Sequence, residues 1–378
     1  MLVLEESFGA AFVGALHPEG PSITPHFDSL AAAGTLLTHA YSTGNRTIRA
    51  LEATTSGLPP LPGISVVRRP ASVGLFTLPA LLRARGYATE FVYGGRALFD
   101  NMGAYMRANG MERVVDQGDY PPGLFTTAWG VADEAIFDMA LRQLDSLDAT
   151  GRPAFVQVLT VSNHKPYTYP AGRIAADPAQ RRRDNAVQYA DWALGRFLRD
   201  ARGHRWFDHT LFVLMGDHGA RVYGSAEIPL PSYEVPVLLY APGVVPAGRV
   251  PTLASTLDVP PTILGLLGID YDSRFFGRDV LREPVTAGRA PMTHNSEIAL
   301  ARDAADGAME LAVLGLRGTT RVYRTDAARR AMTPVARPDA SERALLEDAI
   351  AYYAGADRLY RSGGYRFDTM LAAAGGRE

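Results

Sequence analysis

The stretch LFVLMGDHGAR, from Leu211 to Arg221, decides the fold. Its first five residues are apolar, which is typical of a buried strand in a parallel sheet. A glycine ends the strand, and Asp217 and His218 follow at once. Because ligands of open α/β sheets bind at the carboxyl ends of strands, this pair indicates a divalent metal site. The alternative is a turn-capping aspartate beside an ordinary surface histidine.

Two glutamates follow the first apolar segment of the chain. Met1 to Leu4 predicts a short buried strand, which delivers Glu5 and Glu6 to its carboxyl end. Since successive strand residues point to opposite faces, only one glutamate can serve a site directly, and the residues alone leave open which one. A domain seldom begins inside a strand. We therefore expect that an N-terminal region is missing from this chain.

A further polar segment surrounds Thr47. A turn at Gly44 is followed by a predicted helix from Ile48, so Thr47 lies at or near a helix N-terminus. Free backbone N–H groups and the helix dipole favour an alkoxide or a phosphate oxygen there. By itself, such a threonine is more often only an N-cap. Arg46 and Arg49 would suit an anionic ligand, or they could simply be solvated.

His164 follows a third predicted strand, Ala154 to Val161, in the segment SNHKPY. Its simplest interpretation is a turn histidine bonded to the backbone. A glutamate, an aspartate, a histidine and a hydroxyl at one sheet edge would form a hard, mostly oxygen site. Such a site suits Mn²⁺ best, with Mg²⁺ or Zn²⁺ as alternatives. A metal beside a threonine hydroxyl makes it a nucleophile, which predicts attack on a phosphorus or sulfur ester.

The composition restricts the partners. The chain has 378 residues, a formal net charge of −2 and no cysteine. Without cysteine there are no disulfides, thiol nucleophiles or cysteine-type zinc sites. The nearly neutral charge indicates no nucleic-acid partner. No apolar run approaches the roughly 18 residues of a membrane span.

The alternation of apolar strands with amphipathic helices predicts an α/β fold. We expect a three-layer α/β/α sandwich with a mostly parallel central sheet that contains Val156, Val213 and Leu238. This catalytic domain is predicted over residues 1–285. Residues 286–378 change character and predict a small C-terminal α+β subdomain.

Two local predictions accompany this fold. Leu311 to Leu316 and Thr319 to Arg324 predict an antiparallel hairpin through Gly318. Trp129 to Leu147 has the amphipathic pattern of one long helix.

Several motifs together resemble the alkaline phosphatase/sulfatase superfamily, and more closely the lipoteichoic acid synthase-like phosphoglycerol transferases. The similarity extends from Met1 to about Leu281 and is carried by LEESFG, TPHFDSLAAAGTLLTHAYSTGNRTIRALEA, LTVSNHKPY, LMGDHGAR, STLDVPPTILGLLGI and FFGRDVL, in that order. The resemblance implies an alkaline phosphatase-like fold. It also implies a full-length protein anchored in the cell membrane, with its catalytic domain outside the cytoplasm in the cell envelope.

The resemblance also implies roles for individual residues. Glu6 would be a metal ligand, because the family's glutamate directly precedes Ser-Phe. Thr47 would be both nucleophile and ligand, and Asp217 and His218 would complete the coordination. His164 would bind the substrate phosphate or protonate the leaving group.

One departure from the family concerns the substrate contacts. Gram-positive synthases have a tryptophan and, two residues later, an arginine that contacts glycerophosphate. Phe99 to Asn101 occupies that place here, so Asn101 becomes a candidate substrate contact without the arginine's charge. Arg46, Arg49 or Arg96 could supply the charge, and the identity of the donor head group stays open.

The predicted reaction takes glycerophosphate from phosphatidylglycerol onto Thr47, releases diacylglycerol and passes the group to a glycan or polymer acceptor. The alternatives are a phosphoethanolamine transferase, whose known members are usually rich in cysteine, and a phosphodiesterase or phosphatase that uses water. A fourth hypothesis is a non-catalytic binding domain that keeps only the remains of an active site. Sulfatase chemistry is disfavoured, because no Cys/Ser-x-Pro-x-Arg pattern surrounds Thr47.

Overall fold

The computed structural model describes residues 1–220, 227–329 and 331–367, so Arg221 of the opening stretch lies outside the described residues. In chain order, the strands are β1 (Leu2–Glu5), β2 (Thr35–Leu37), β3 (Ala40–Tyr41), β4 (Ala88–Tyr93), β5 (Arg113–Val115), β6 (Thr126–Thr127), β7 (Gly130–Val131), β8 (Ala154–Leu159), β9 (Phe212–Gly216), β10 (Val237–Tyr240), β11 (Gly248–Val250), β12 (Ala254–Ser255), β13 (Arg289–His294), β14 (Glu297–Asp303), β15 (Met309–Leu314), β16 (Thr320–Thr325) and β17 (Met332–Pro334). The α-helices are α1 (Pro25–Ala31), α2 (Thr47–Ser56), α3 (Leu78–Ala84), α4 (Met102–Ala108), α5 (Asp133–Asp148), α6 (Arg183–Ala201), α7 (Val259–Leu266) and α8 (Ala340–Arg361).

The chain forms two compact units. Unit 1 comprises Met1–Thr38, Pro79–Gly219 and Val235–Val250. Unit 2 comprises the described residues of His39–Leu78, Ala220–Glu234 and Pro251–Glu378.

Unit 1 is built on an eight-stranded sheet with the order β11-β2-β10-β9-β1-β8-β4-β5. All neighbouring strands are parallel except β10, which runs antiparallel to both β9 and β2. Val156, Val213 and Leu238 lie in β8, β9 and β10 of this one sheet, so the predicted mostly parallel central sheet is confirmed. Helices α1, α5 and α6 pack in the same unit, and α5 contacts β4 and β8.

The central strands β1 and β9 have neighbouring strands on either side, and their apolar side chains are buried. Leu2, Val3 and Leu4 are fully buried between β8 and β9. Gly216 ends β9 at a close approach, where an added Cβ would lie 2.0 Å from the carbonyl oxygen of Phe8. Only glycine fits there, and the chain turns at that point.

Unit 2 contains a second, five-stranded antiparallel sheet with the order β13-β14-β15-β16-β17. β15 and β16 form the predicted hairpin. Leu300 and Ala312 on one face of the sheet pack against Leu345, Ala349 and Tyr353 of α8. The opposite face buries Ala299, Ala301, Leu311 and Val313 in a separate apolar cluster. This is the predicted C-terminal α+β subdomain.

The predicted boundary after residue 285 lies just before β13 begins at Arg289. The proposed division into a catalytic part, 1–285, and a C-terminal part, 286–378, stays a prediction. Among the described residues, no helix combines the length and apolar character needed to cross a membrane.

Candidate metal centre

The candidate site lies at the carboxyl ends of β1 and β9. These strands pair in parallel, with Glu5 opposite Gly216, so the residues that follow each strand emerge side by side. Glu6 follows β1, and Asp217 and His218 follow β9. This register explains why segments about two hundred residues apart in sequence meet at one edge of the sheet.

Glu6, Asp217 and His218 each direct one potential ligand atom to a common place, and these atoms lie within 4.8 Å of one another. His218 Nε2 is 3.8 Å from Glu6 Oε1 and 3.7 Å from Asp217 Oδ2. The two carboxylates are buried. Two oxygens and an imidazole nitrogen form a donor set that fits a hard or borderline divalent metal such as Mn²⁺, Mg²⁺ or Zn²⁺.

The tautomer of His218 also suits a ligand. Nδ1 lies 2.9 Å from the carbonyl oxygen of Gly219, which places a proton on Nδ1 and leaves Nε2 toward the carboxylates. Burial opposes protonation of His218, but the neighbouring Asp217 and Glu6 carboxylates raise its pKa overall. A divalent metal would satisfy the same carboxylates in place of that proton.

The geometry shows which of the two glutamates faces the candidate site, a question that the sequence alone left open. Glu6 Oε1 faces His218, whereas Glu5 Oε2 accepts a hydrogen bond of 2.9 Å from Thr160 Oγ1. Burial, reinforced by the nearby carboxylate of Asp133, raises the pKa of Glu5 well above its usual range. Glu5 is therefore a buried residue that bonds within the protein interior, and Glu6 is the candidate ligand, as the family resemblance implied.

His164 lies outside this ligand group, on the loop after β8. Its Nδ1 is 3.0 Å from the carbonyl oxygen of Lys165, and its ring packs against Trp129 with 3.9 Å between centroids. The indole N–H of Trp129 donates to the same carbonyl at 2.6 Å. These contacts fix the imidazole and leave Nε2 as the nitrogen able to contact a substrate.

Thr47 is the first residue of α2 in unit 2, which confirms the predicted helix start. Arg46 precedes the helix and is exposed. Arg49 is buried, with Nη1 2.9 Å from Glu52 Oε2 and Nη2 2.7 Å from the carbonyl oxygen of Gly63. These internal contacts account for Arg49 without a ligand, so we retain Arg46 and not Arg49 as a candidate substrate contact.

Asn101 directly precedes α4 and is exposed, with a left-handed φ of 63°. Phe99, two residues earlier, contacts Trp129 edge to face at 5.7 Å. Through Trp129, this segment reaches the ring of His164. The place predicted for head-group contacts is thus connected to His164 by a row of aromatic rings.

The predicted helix from Trp129 to Leu147 begins later than expected. Residues 126–131 form the hairpin β6–β7, and α5 starts at Asp133. Gly130 has a φ of 146°, and an added Cβ there would lie 2.1 Å from the carbonyl oxygen of Gly94. This glycine-dependent hairpin, invisible to an amphipathic pattern, presents Trp129 to His164.

The fold and the candidate site define a class of protein: an α/β domain with potential metal ligands at the carboxyl ends of parallel strands. The Sulfatase family matches residues 1–269, and the chain belongs to this family. A protein of the alkaline phosphatase superfamily from Vibrio parahaemolyticus is 33% identical, with a TM-score of 0.89 over 97% of this chain and 87% of that one. The superfamily resemblance found in the sequence is therefore confirmed.

Other relatives have more specific names. Lipoteichoic acid synthase 2 of Bacillus subtilis is 28% identical over 251 residues, which cover 60% of this chain and 38% of that protein. Phosphoglycerol transferase I of Xanthomonas campestris pv. campestris is 26% identical over 283 residues, covering 69% and 40%. The chain thus spans about two fifths of these curated relatives. The lipoteichoic acid synthase LtaP of Listeria monocytogenes shares the fold, with a TM-score of 0.78 over 95% of this chain and 91% of that one, at 18% identity.

Proposed function

We propose that this protein is a metal-dependent phosphoglycerol transferase that works outside the cytoplasm on a membrane lipid. The convergence of Glu6, Asp217 and His218 carries the proposal, because it supplies a metal site in a chain whose relatives are named phosphoglycerol transferases. The donor would be phosphatidylglycerol, and the acceptor a glycan or polymer hydroxyl. The full-length protein would be anchored in the cell membrane.

Glu6, Asp217 and His218 would hold the metal, with Mn²⁺ proposed from the oxygen-rich donor set and Mg²⁺ or Zn²⁺ as alternatives. When bound, such a metal stabilises charge on phosphoryl oxygens and lowers the pKa of a neighbouring hydroxyl. Thr47 is proposed as the nucleophile and as a further ligand. Its place at the first residue of α2 supports this role, since helix N-termini favour anionic oxygens.

In the first step, Thr47 Oγ1 releases its proton to solvent, forms a bond to phosphorus and breaks the bond from phosphorus to the diacylglycerol oxygen. His164 Nε2, with Nδ1 held by the carbonyl of Lys165, would donate the proton that the departing oxygen needs. In the second step, an acceptor hydroxyl loses its proton to His164, bonds to phosphorus and displaces Thr47 Oγ1, which takes a proton back from solvent. Arg46 and Asn101 are proposed to contact the head group.

Mass spectrometry of the protein after incubation with phosphatidylglycerol and Mn²⁺ tests this function. We expect a glycerophosphoryl adduct on Thr47 and stoichiometric release of diacylglycerol. Thr55→Ala is a matched control, because Thr55 lies on the same helix and bonds to the carbonyl of Leu51. It should keep the adduct, whereas Thr47→Ala should lose it.

Two results would redirect the proposal. An adduct from phosphatidylethanolamine but not from phosphatidylglycerol would identify a phosphoethanolamine transferase. Release of free glycerophosphate in the presence of glycan acceptors would identify a phosphodiesterase. A protein that neither binds metal nor forms any adduct would contradict an enzymatic function.

A further inference from the structure

Ser7 has a backbone conformation that residues with a side chain seldom adopt. Its φ is 49°, in the left-handed region, and it is buried directly after the candidate ligand Glu6. A non-glycine residue in this region is disfavoured by contacts of its Cβ. Such a conformation persists only where the surrounding structure holds it.

Three hydrogen bonds hold the backbone around Ser7. Its N–H donates to Asp217 Oδ1 at 2.7 Å. Its carbonyl oxygen accepts from Asn163 Nδ2 at 3.0 Å, and the same amide nitrogen donates to the carbonyl oxygen of Glu6 at 3.1 Å. Asn163 is itself buried, so these bonds are not exchanged readily for water. Ser7 is thus held from both sides.

In this conformation Ser7 contacts both candidate carboxylate ligands. Its hydroxyl donates to Glu6 Oε1 at 2.6 Å, and this is the oxygen that faces His218 Nε2. Its backbone N–H binds Asp217, which also accepts from the N–H of His218 at 2.7 Å. One residue therefore sets the direction of a carboxylate from each of two strands.

The same network includes the loop that carries His164. Thr160 Oγ1 donates to Glu5 and accepts from the N–H of Glu6 at 3.0 Å. Asp133 accepts from the N–H groups of residues 161 and 162, each at 2.9 Å. Asn163 completes the connection one residue before His164. The loop after β8 and the segment after β1 are therefore fastened by buried hydrogen bonds.

We propose that Ser7 is a positioning residue for the Glu6 and Asp217 ligands, and that Asn163 acts through it by holding its left-handed backbone. Neither residue is proposed to touch the metal or the substrate. Replacing a residue that hydrogen-bonds to a metal ligand, without binding the metal itself, typically changes metal affinity by about 10–100-fold. The inference rests on the metal role in the proposed function, and it adds two residues that position the ligands without binding the metal.

Calorimetric titration with Mn²⁺ tests the inference on the wild type, Ser7→Gly, Asn163→Ala and the double variant. Ser7→Gly removes the hydroxyl but tolerates the backbone conformation, so it should fold. We expect each single variant to bind Mn²⁺ about 10-fold more weakly. The double variant should be weakened by less than the product of the two single effects, because Asn163 acts through Ser7.

The matched control is Thr89→Ala in the same sheet. Thr89 is buried, and its hydroxyl donates to the carbonyl oxygen of Gly110 at 2.6 Å. Its loss should lower the melting temperature without changing the dissociation constant for Mn²⁺. Equal weakening in this control would show that the effect of Ser7 is only one of general stability.

The remaining outcomes are distinct. Wild-type affinity in Ser7→Gly, or no Mn²⁺ binding by the wild type, would overturn the inference. If the loss of Mn²⁺ affinity in the double variant equals the product of the losses in the two single variants, Asn163 does not act through Ser7. If the variants weaken Mn²⁺ binding while wild-type protein releases no diacylglycerol, the proposed function fails and the positioning role stands.

Discussion

Two buried groups of charged side chains differ in how their carboxylates are matched. In unit 2, Arg49 Nη1 lies 2.9 Å from Glu52 Oε2, so one permanent cation faces one carboxylate. In unit 1, His218 lies within 4 Å of both Glu6 and Asp217, so one titratable ring faces two carboxylates. The first arrangement is a structural ion pair. The second has the donor atoms to exchange a proton for a metal. Burial of acidic side chains alone therefore does not identify a functional site.

The largest effect on Mn²⁺ affinity is expected when one carboxylate from each group is replaced and the two variants are compared. Asp217→Asn should weaken Mn²⁺ binding by more than about 100-fold, because a ligand itself is lost. This exceeds the usual effect of replacing a residue that only hydrogen-bonds to a ligand. Glu52→Gln should leave that affinity unchanged. It should lower the free energy of unfolding by about 3 kcal/mol, because Arg49 stays buried without its anionic partner. Titration calorimetry and denaturant unfolding of both variants make the comparison, and the reverse pattern would exchange the two roles.

Thr47 is expected to matter for chemistry more than for the metal. Thr47→Ala should lower diacylglycerol release by more than about 10³-fold, because the covalent route is lost. Metal content should fall only partly, since Glu6, Asp217 and His218 remain. Thr47→Ser should keep some activity because it keeps a hydroxyl. Wild-type turnover in Thr47→Ala would mean that this threonine is only the start of a helix.

His164 should affect chemistry without affecting the metal. His164→Ala should slow transfer by about 10²-fold, within the usual range for a general acid or phosphate contact, and metal content per chain should not change. Elemental analysis beside the diacylglycerol assay separates these effects. If the variant loses its metal, His164 is a ligand and the site has a different composition.

The smallest expected effect concerns pH. Because the pKa of His218 is raised from 6.5, its protonation stabilises the metal-free protein below about pH 6.5, and this contribution is lost as the pH rises through the folded-state pKa. Mn²⁺ binding needs the neutral ring, so its affinity should rise about tenfold per pH unit below that pKa. The increase in melting temperature that Mn²⁺ produces should therefore grow as the pH rises from 5 to 8. An increase that is the same across this range would exclude His218 as a ligand.

Much of the sheet was predictable because buried parallel strands are apolar along their whole length. β1, β8 and β9 were all predicted in this way, and the start of α2 near Thr47 was predicted from the turn at Gly44 that precedes it. The antiparallel direction of β10 was not, because a fully buried strand has the same pattern in either direction. The hairpin that presents Trp129 depends on the close approach of Gly130 to Gly94, which has no local signal.

The candidate ligands were predictable for a different reason. Asp217 and His218 follow an apolar strand at once, and a family motif distinguishes Glu6 from Glu5. The contacts of Ser7 could not be predicted, because Asn163 and Asp217 lie 156 and 210 residues away in sequence. Long-range hydrogen bonds of this kind depend on the register of β1 with its neighbours.

The central claim is that Glu6, Asp217 and His218 hold a divalent metal, and anomalous X-ray diffraction from crystals grown with Mn²⁺ tests it most directly. We predict one strong anomalous peak near the manganese edge, about 2.0–2.3 Å from a carboxylate oxygen of Glu6, an oxygen of Asp217 and Nε2 of His218. Asp217→Asn crystals should lose that peak. The account would be contradicted if wild-type crystals showed no anomalous peak at these three residues although the Mn²⁺ concentration was high enough to occupy other sites in the crystal.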